Sequence, residues 1–107
     1  MSADRTGQIA VVFASRRNVE DAAGYDAAVA AMEALAAAQP GYRGIASARG
    51  ADGFGITVSY WADEASVVAW REQIEHAAIR RRGRALWYDD YALQVATITR
   101  SYDWRRR

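Results

Sequence analysis

The order of strand-like and helix-like segments constrains the fold of this 107-residue chain more than any other feature. A β-branched apolar run from Gln8 to Ser15 predicts a first strand, and the alanine-rich segment after it predicts a helix that Pro40 ends. Two further strand patterns, joined by the glycine-rich turn "GADG", precede a second helix and a last strand. This β-α-β-β-α-β order favours an α+β, ferredoxin-like fold, with a four-stranded antiparallel sheet and both helices on one face.

The second helix is predicted to run from Asp63 to Gly83. Asp63 is a suitable N-cap, Glu64 suits the positive start of a helix, and arginines before Gly83 suit its negative end. The following segment, "ALWYDD", is interpreted as a turn or a short helical piece. The last strand is then expected from Tyr91 to Trp104, with residues 105–107 as a tail.

Composition excludes several classes of function. The chain has no cysteine, so it forms no disulfide and no thiolate metal site. Its formal net charge of +1 gives no reason to expect a nucleic acid or membrane partner. The polar start lacks the pattern of a secretory signal, and no apolar run is long enough to span a membrane. The expectation is a single cytoplasmic domain over residues 1–107, with an ordered core over about 8–104.

The strands carry apolar side chains on both faces, although two helices can cover only one. On the first strand, one face presents Ile9, Val11 and Phe13, and the other presents Ala10, Val12 and Ala14. An antiparallel sheet with one face in water normally has polar side chains on that face. The sequence therefore predicts that a second copy of the chain covers the open sheet face in a symmetric homodimer.

Several pieces of the sequence, taken in order and spacing, resemble the antibiotic biosynthesis monooxygenase family. They are "SYW", the tryptophan nine residues later, the pair "EH" and the segment "GRALWYDDY", within a match from about Ile9 to Trp104. The resemblance implies a dimeric α/β barrel, in which two ferredoxin-like protomers pair their open sheet faces. It also implies either oxidation of aromatic polyketides by dioxygen without metal or flavin, or the binding and degradation of haem.

Three residues are the candidate catalytic groups of the pocket that the resemblance implies between sheet and second helix. His76, the single histidine, can exchange protons near neutral pH and is the candidate base or hydrogen-bonding anchor. Trp70 is expected to line the cavity, and Arg84 to offset negative charge. The alternatives are a structural His76 bonded to Glu72 or to backbone, and a Trp70 that only packs in the core.

Four further aromatic residues are candidates for substrate binding. Tyr60 is expected to line the same cavity as Trp70. Trp61, on the opposite strand face, is placed at the dimer interface. Trp87 and Tyr88 either close the mouth of the cavity or hold their segment against the partner subunit.

The preferred interpretation is a small homodimeric monooxygenase that oxidises an aromatic or polyketide-like ligand with dioxygen and needs no cofactor. One alternative is a haem-binding or haem-degrading protein with His76 as axial ligand. Trp70 and His76 resemble the helix residues of the haem-degrading branch, but its first-strand asparagine is missing, with Ser15 or Arg16 near that position. The other alternative is a non-catalytic dimeric ligand-binding domain. No metal site is expected unless haem is bound.

Overall fold

The computed structural model describes residues 4–18, 22–73 and 87–106. Within these ranges the elements follow the predicted order: β1 (Ile9–Arg17), α1 (Ala22–Ala37), β2 (Tyr42–Arg49), β3 (Phe54–Trp61), α2 (Glu64–Arg71) and β4 (Tyr88–Thr97). The strands form one antiparallel sheet in the order β2-β3-β1-β4. The predicted ferredoxin-like arrangement is confirmed. No helix in the described ranges is long and apolar enough to cross a membrane.

The core lies between the two helices and one face of the central strands. Its buried members come from β1, β3 and both helices: Ile9, Ala36, Trp61, Val67 and Trp70. Trp61 has no exposed surface, and its ring stacks on that of Trp70 with the centroids 5.7 Å apart. Tyr42 packs edge-on against Trp61 at 5.8 Å. Since aromatic side chains bury the largest apolar areas, this stack is the centre of the core.

Helix α2 begins as predicted but ends much earlier. One carboxylate oxygen of Asp63 accepts hydrogen bonds from the backbone N–H of Ser66 at 2.8 Å and from its hydroxyl at 2.7 Å, which confirms the N-cap. The helix ends at Arg71. The amide of Glu72 still donates to the carbonyl of Val68 at 3.1 Å, but the amide of Gln73 donates to the carbonyl of Trp70, three residues back, at 3.2 Å and tightens the last turn. The predicted helix is therefore interrupted after Arg71, and its predicted end at Gly83 stays a prediction. Residues 74–86 of that predicted helix lie outside the described residues.

The cap of α2 should give a pH-dependent contribution to stability. Hydrogen bonds from the hydroxyl and the amide of Ser66 lower the pKa of Asp63 below its ordinary 3.8. A lowered carboxyl pKa stabilises the fold above the unfolded pKa, and this stabilisation is lost as pH falls through the folded pKa. We expect Asp63→Ala to lower the thermal midpoint at pH 7, and the difference from wild type to narrow in acid. Asp63→Asn, which keeps a capping group, is the control. A difference that persists undiminished in acid would contradict this origin.

Strand β4 begins at Tyr88, so the interpretation of "ALWYDD" as a turn is wrong for Tyr88 to Asp90. The strand also ends at Thr97, well before Trp104. Its start contains a β-bulge: Arg16 of β1 is opposite Asp90, the next residue Arg17 is opposite Tyr88, and Asp89 is the extra residue. Beyond a bulge the alternation of side chains is shifted by one residue. Tyr88 therefore lies on the helix-covered face, on the same side as Tyr91.

The other sheet face is largely apolar, and neither of the two described helices covers it. Residues directly opposite in an antiparallel pair share a face, so the register defines this open face from β1 and β3. Its members are Ala10, Val12, Ala14, Phe54, Ile56, Val58 and Tyr60, with Arg16 opposite Phe54 at one end. Phe54 is 40% exposed and Ile56 is 43% exposed, which is a large apolar exposure for sheet residues. The prediction of strands with two apolar faces is confirmed.

Candidate functional site

Five aromatic rings meet on the helix-covered face, at the end of the sheet where β4 begins. This aromatic cluster comprises Phe13, Tyr25, Trp87, Tyr88 and Tyr91. Phe13 lies 5.4 Å from Tyr88 and 5.3 Å from Tyr91, measured between ring centroids. Tyr25 of α1 meets Trp87 at 5.7 Å and Tyr88 at 5.8 Å, both edge-on. These contacts join α1 to β1 and β4. They form a continuous aromatic surface in which three of the five side chains carry a phenol hydroxyl.

An arginine from β2 holds one side of the aromatic cluster. The Nη2 group of Arg49 donates to the hydroxyl of Ser15 at 2.8 Å and to the hydroxyl of Tyr25 at 3.1 Å. Its Nη1 group donates to the backbone carbonyl of Ser15 at 3.2 Å and to that of Gly53. Ser15 is 1% exposed, so this hydroxyl is a buried polar group that has found its partner. The guanidinium thereby fixes the position of the Tyr25 hydroxyl.

The phenol of Tyr88 is neutral across the physiological pH range. Burial raises its pKa well above the ordinary 10.0, and the hydrogen bond with Tyr25 raises it further. The charges of Arg49 and Arg17 oppose this change but are outweighed. A neutral phenol is a hydrogen-bond donor and a poor base at pH 7. Tyr88 is therefore suited to hold an anionic oxygen and unsuited to remove a proton from a ligand.

An exposed apolar strip continues from the aromatic cluster along β4. It consists of Leu93, which is 52% exposed, and Val95, which is 44% exposed. Leu93 is directly opposite Phe13 and Val95 is directly opposite Val11, so both lie on the helix-covered face. An apolar surface beside a few fixed polar groups is the usual composition of a small-molecule site. The aromatic cluster and this apolar strip together form the candidate site.

The structure places two of the predicted site residues in the core. Trp61 is fully buried on the helix-covered face, so its predicted place at a dimer interface on the open face is wrong. Trp70 is 9% exposed and stacks on Trp61. The indole nitrogen of Trp61 donates to the hydroxyl of Ser59 at 2.9 Å, which satisfies its polar atom inside the core. Neither ring offers a broad face to a ligand.

Tyr60 does not line the same cavity as Trp70, because the two side chains lie on opposite faces of the sheet. This prediction is wrong for a simple reason: Tyr60 is adjacent to Trp61 in a strand, where successive side chains alternate. The guanidinium of Arg5 lies over the Tyr60 ring, 3.8 Å from its centroid. The two residues line an open groove of about 570 Å³ near residues 98–103.

Trp87 and Tyr88 are the predicted binding residues that the structure brings together. Trp87 is 3% exposed and packs against Tyr25 of its own chain. Whether the pair closes a cavity or contacts a partner subunit stays a prediction. His76 and Arg84, the predicted base and the predicted charge-offsetting residue, lie outside the described residues. Across the described ranges, no group of three or more His, Asp or Glu side chains could hold a metal ion.

Sequence reasoning missed the polar half of the site. The sequence pattern marks neither Tyr25 nor Arg49 as a site residue, and it marks Ser15 only by its place near the end of the first strand. Their contacts join positions 34 and 24 residues apart, so no short motif marks them. An arginine at the end of a strand, directly before a glycine-rich turn, was the one local signal, and it is a common one.

No protein-family model matches the sequence. The uncharacterised protein YqjZ of Bacillus subtilis is 45% identical over 91 residues, which are 85% of this chain and 79% of that protein. A shorter stretch of 49 residues is 37% identical to the jasmonate monooxygenase ABM of Pyricularia oryzae. This stretch covers 46% of the present chain and 23% of the fungal protein.

Solved structures share the fold at low sequence identity. A variant of SnoaB, a cofactor-independent oxygenase from Streptomyces nogalater, superimposes with a TM-score of 0.77 at 17% identity. The match covers 90% of this chain and 97% of that one. A protein of Nitrosomonas europaea named as an antibiotic biosynthesis monooxygenase gives a TM-score of 0.74 at 7% identity, over 90% of this chain and 94% of its own.

Proposed function

Because this chain belongs to the family of Bacillus subtilis YqjZ and has the fold of the antibiotic biosynthesis monooxygenases, as the sequence resemblance predicts, we propose that it is a small monooxygenase. Its substrate would be an electron-rich aromatic or polyketide-like molecule, oxidised by dioxygen without a bound cofactor. The observation that carries this proposal is the exposed apolar strip of Leu93 and Val95 beside the neutral Tyr88 phenol. We also expect the protein to act in the cytoplasm.

The chemistry divides between binding and proton removal. The apolar strip and the rings of Phe13 and Tyr91 would hold the planar body of the substrate. Removal of one proton would give an anion, whose oxygen Tyr88 would hold by donating a hydrogen bond. The anion would pass one electron to dioxygen, and the substrate radical and superoxide would combine to a peroxide anion. The proton held by the base would return to it and give a hydroperoxide. Loss of water would leave a carbonyl on the substrate, so one oxygen atom enters the product and the other leaves as water.

The base in this scheme is His76, which the sequence analysis predicts for that role. Because general-base catalysis contributes about a hundredfold or more, we expect His76→Ala to lower kcat by about that factor. Tyr88→Phe should raise KM about tenfold and change kcat less, because it removes a hydrogen bond to a charged oxygen. Oxygen consumption with anthrone as the substrate measures both.

Tyr102→Phe is the matched control for Tyr88→Phe, since Tyr102 is 83% exposed and lies far along the chain after β4. It should leave both constants unchanged. Equal rates for wild type and His76→Ala would remove His76 from the mechanism. Absence of oxygen consumption by the wild-type protein, with anthrone and with hydroxylated naphthoquinones, would contradict the proposed function.

The proposed active form is a homodimer in which a second copy covers the open sheet face. The support is the apolar composition of that face together with the exposure of Phe54 and Ile56. Symmetric pairing of one patch with its own copy is the commonest way to cover such a surface. The candidate site lies on the opposite face, so each protomer would keep its own site.

A further inference from the structure

Arg49 occupies an unusual electrostatic position beside the candidate site. Among the described residues its guanidinium donates to four uncharged oxygens: the hydroxyl and carbonyl of Ser15, the hydroxyl of Tyr25 and the carbonyl of Gly53. Of the ion pairs in the described ranges, none includes Arg49; they join Arg16 to Asp52 and Arg17 to Asp26. A half-buried guanidinium is usually paired with a carboxylate. Here the forked N–H donors of the guanidinium orient neutral groups.

The geometry of that fork determines the position of Tyr25. One Nη2 group bridges the hydroxyls of Ser15 on β1 and Tyr25 on α1. The charge also lies 5.6 Å from the centroid of the Tyr25 ring, a favourable cation–π distance. Strand, helix and hairpin are thereby connected through one planar group. A lysine ammonium could supply the charge, but it has no rigid fork with which to bridge the two hydroxyls.

Tyr25 in turn determines the position of Tyr88. The two rings meet edge-on with their centroids 5.8 Å apart, so the orientation of the Tyr25 ring limits the positions open to the Tyr88 ring. Tyr88 is the first residue of β4 and lies beside the bulge, where the ladder is irregular. Its backbone is therefore held less firmly than that of a residue within the strand. Its ring is held by edge-on contacts with Phe13, Tyr25 and Tyr91, and of these three only Tyr25 is bonded to Arg49.

We propose that Arg49 is a positioning residue: by bonding the hydroxyl of Tyr25 it holds the Tyr25 ring against that of Tyr88, and so fixes the phenol of Tyr88 on the side of the sheet that carries the apolar strip. It thereby sets the affinity of the site for an anionic aromatic ligand that Arg49 itself does not touch. The proposal rests on the proposed function, because that function makes Tyr88 the group that holds the anionic oxygen. This positioning requires the planar shape of the Arg49 guanidinium and not only its charge.

The test measures binding of 2-hydroxy-1,4-naphthoquinone, an anion at neutral pH, by tryptophan fluorescence quenching. We expect Arg49→Lys, Arg49→Met and Tyr25→Phe each to raise the dissociation constant about tenfold, the size expected for one misplaced hydrogen bond to a charged group. The double variant Arg49→Met with Tyr25→Phe should bind no more weakly than the weaker single variant, since both changes act through one contact. Arg16→Met is the control: Arg16 lies on β1 with its side chain on the open face and pairs with surface Asp52, so binding should stay within about twofold.

Two results would overturn the proposal. Wild-type affinity in a folded Arg49→Lys protein would show that charge alone is sufficient. Additive losses in the double variant would show that Arg49 and Tyr25 act independently. Circular dichroism confirms that each variant is folded. If Arg49→Met is unfolded, Arg49→Lys carries the test, because it keeps the charge and most of the volume.

A second measurement separates the positioning role from the proposed function. In tyrosine-labelled protein the NMR resonance of the Tyr88 ring, assigned with Tyr88→Phe, should move in Arg49→Lys and stay in place in Arg16→Met. If the wild-type protein neither binds the probe nor consumes oxygen, the proposed function fails, and this resonance still decides the positioning role. An unchanged Tyr88 resonance in Arg49→Lys would overturn it.

Discussion

Replacement of Trp61 by alanine is expected to lower the free energy of unfolding by about 3–5 kcal/mol. Trp61 has no exposed surface, stacks on Trp70 and meets Tyr42 edge-on, so its removal leaves a cavity between the sheet and α2. Since small domains are stable by only about 5–15 kcal/mol, this change would remove much of the total. Urea unfolding followed by circular dichroism, at one fixed protein concentration, measures the loss.

Trp104→Ala is the matched control for the size and chemistry of the side chain. Trp104 is 75% exposed, so its removal creates no cavity and should change stability by less than about 0.5 kcal/mol. Similar unfolding midpoints for the two variants would contradict the position of Trp61 at the centre of the core. The comparison also tests whether Trp61 lies in the core or at a dimer interface, since an interface tryptophan would affect association more than folding.

The substitution Ile56→Arg is expected to raise the dissociation constant of the proposed dimer at least about a hundredfold. Ile56 lies near the middle of the open face and is 43% exposed, so the single chain can accept a charged side chain there. In the proposed dimer the same guanidinium would be buried without a partner, at a cost of roughly 3 kcal/mol or more. Sedimentation velocity over a range of micromolar concentrations measures the shift.

Ala34→Arg on the exposed side of α1 adds the same charge away from the open face and should leave association unchanged. A wild-type protein that is monomeric at these concentrations would contradict the proposed dimer. A dimer that persists in Ile56→Arg would show that the protomers meet through another surface. Oxygen consumption of the Ile56→Arg monomer would then show whether each protomer carries a complete site.

The sequence predicts the element order and the strand faces because both follow from local hydrophobic period. Phe54 and Tyr60 share one face and Trp61 lies on the other, as alternation requires. Alternation does not say which face the helices cover, and for that reason Trp61 was placed at the interface and not in the core. The helical pattern continues in the sequence past Arg71 and does not mark the turn at Glu72 that ends α2.

The site was harder to predict because it depends on contacts across the fold. Tyr88 belongs to it only because the bulge at Arg16 and Arg17 shifts the alternation, and no residue pattern in "WYDDY" marks a bulge. Arg49 belongs to it because the sheet and α1 bring Ser15 and Tyr25 within reach of one side chain. Contacts between residues so far apart in the sequence can be recognised only when the register of the sheet is known.

The bulge at the start of β4 makes ligand preference sensitive to chain length as well as to residue identity. Tyr88 and Tyr91 are three positions apart, and in a regular strand they would point to opposite faces. Asp89 supplies the offset that brings both onto one face. In a relative that lacks one residue at this point, regular alternation would turn the side chain at the position of Tyr88 to the other face. A different side chain would then lie beside the position of Tyr91, and the proposed site would offer different chemistry to a ligand. Such a gap is a change in the specificity of the site, even where every aromatic residue is retained.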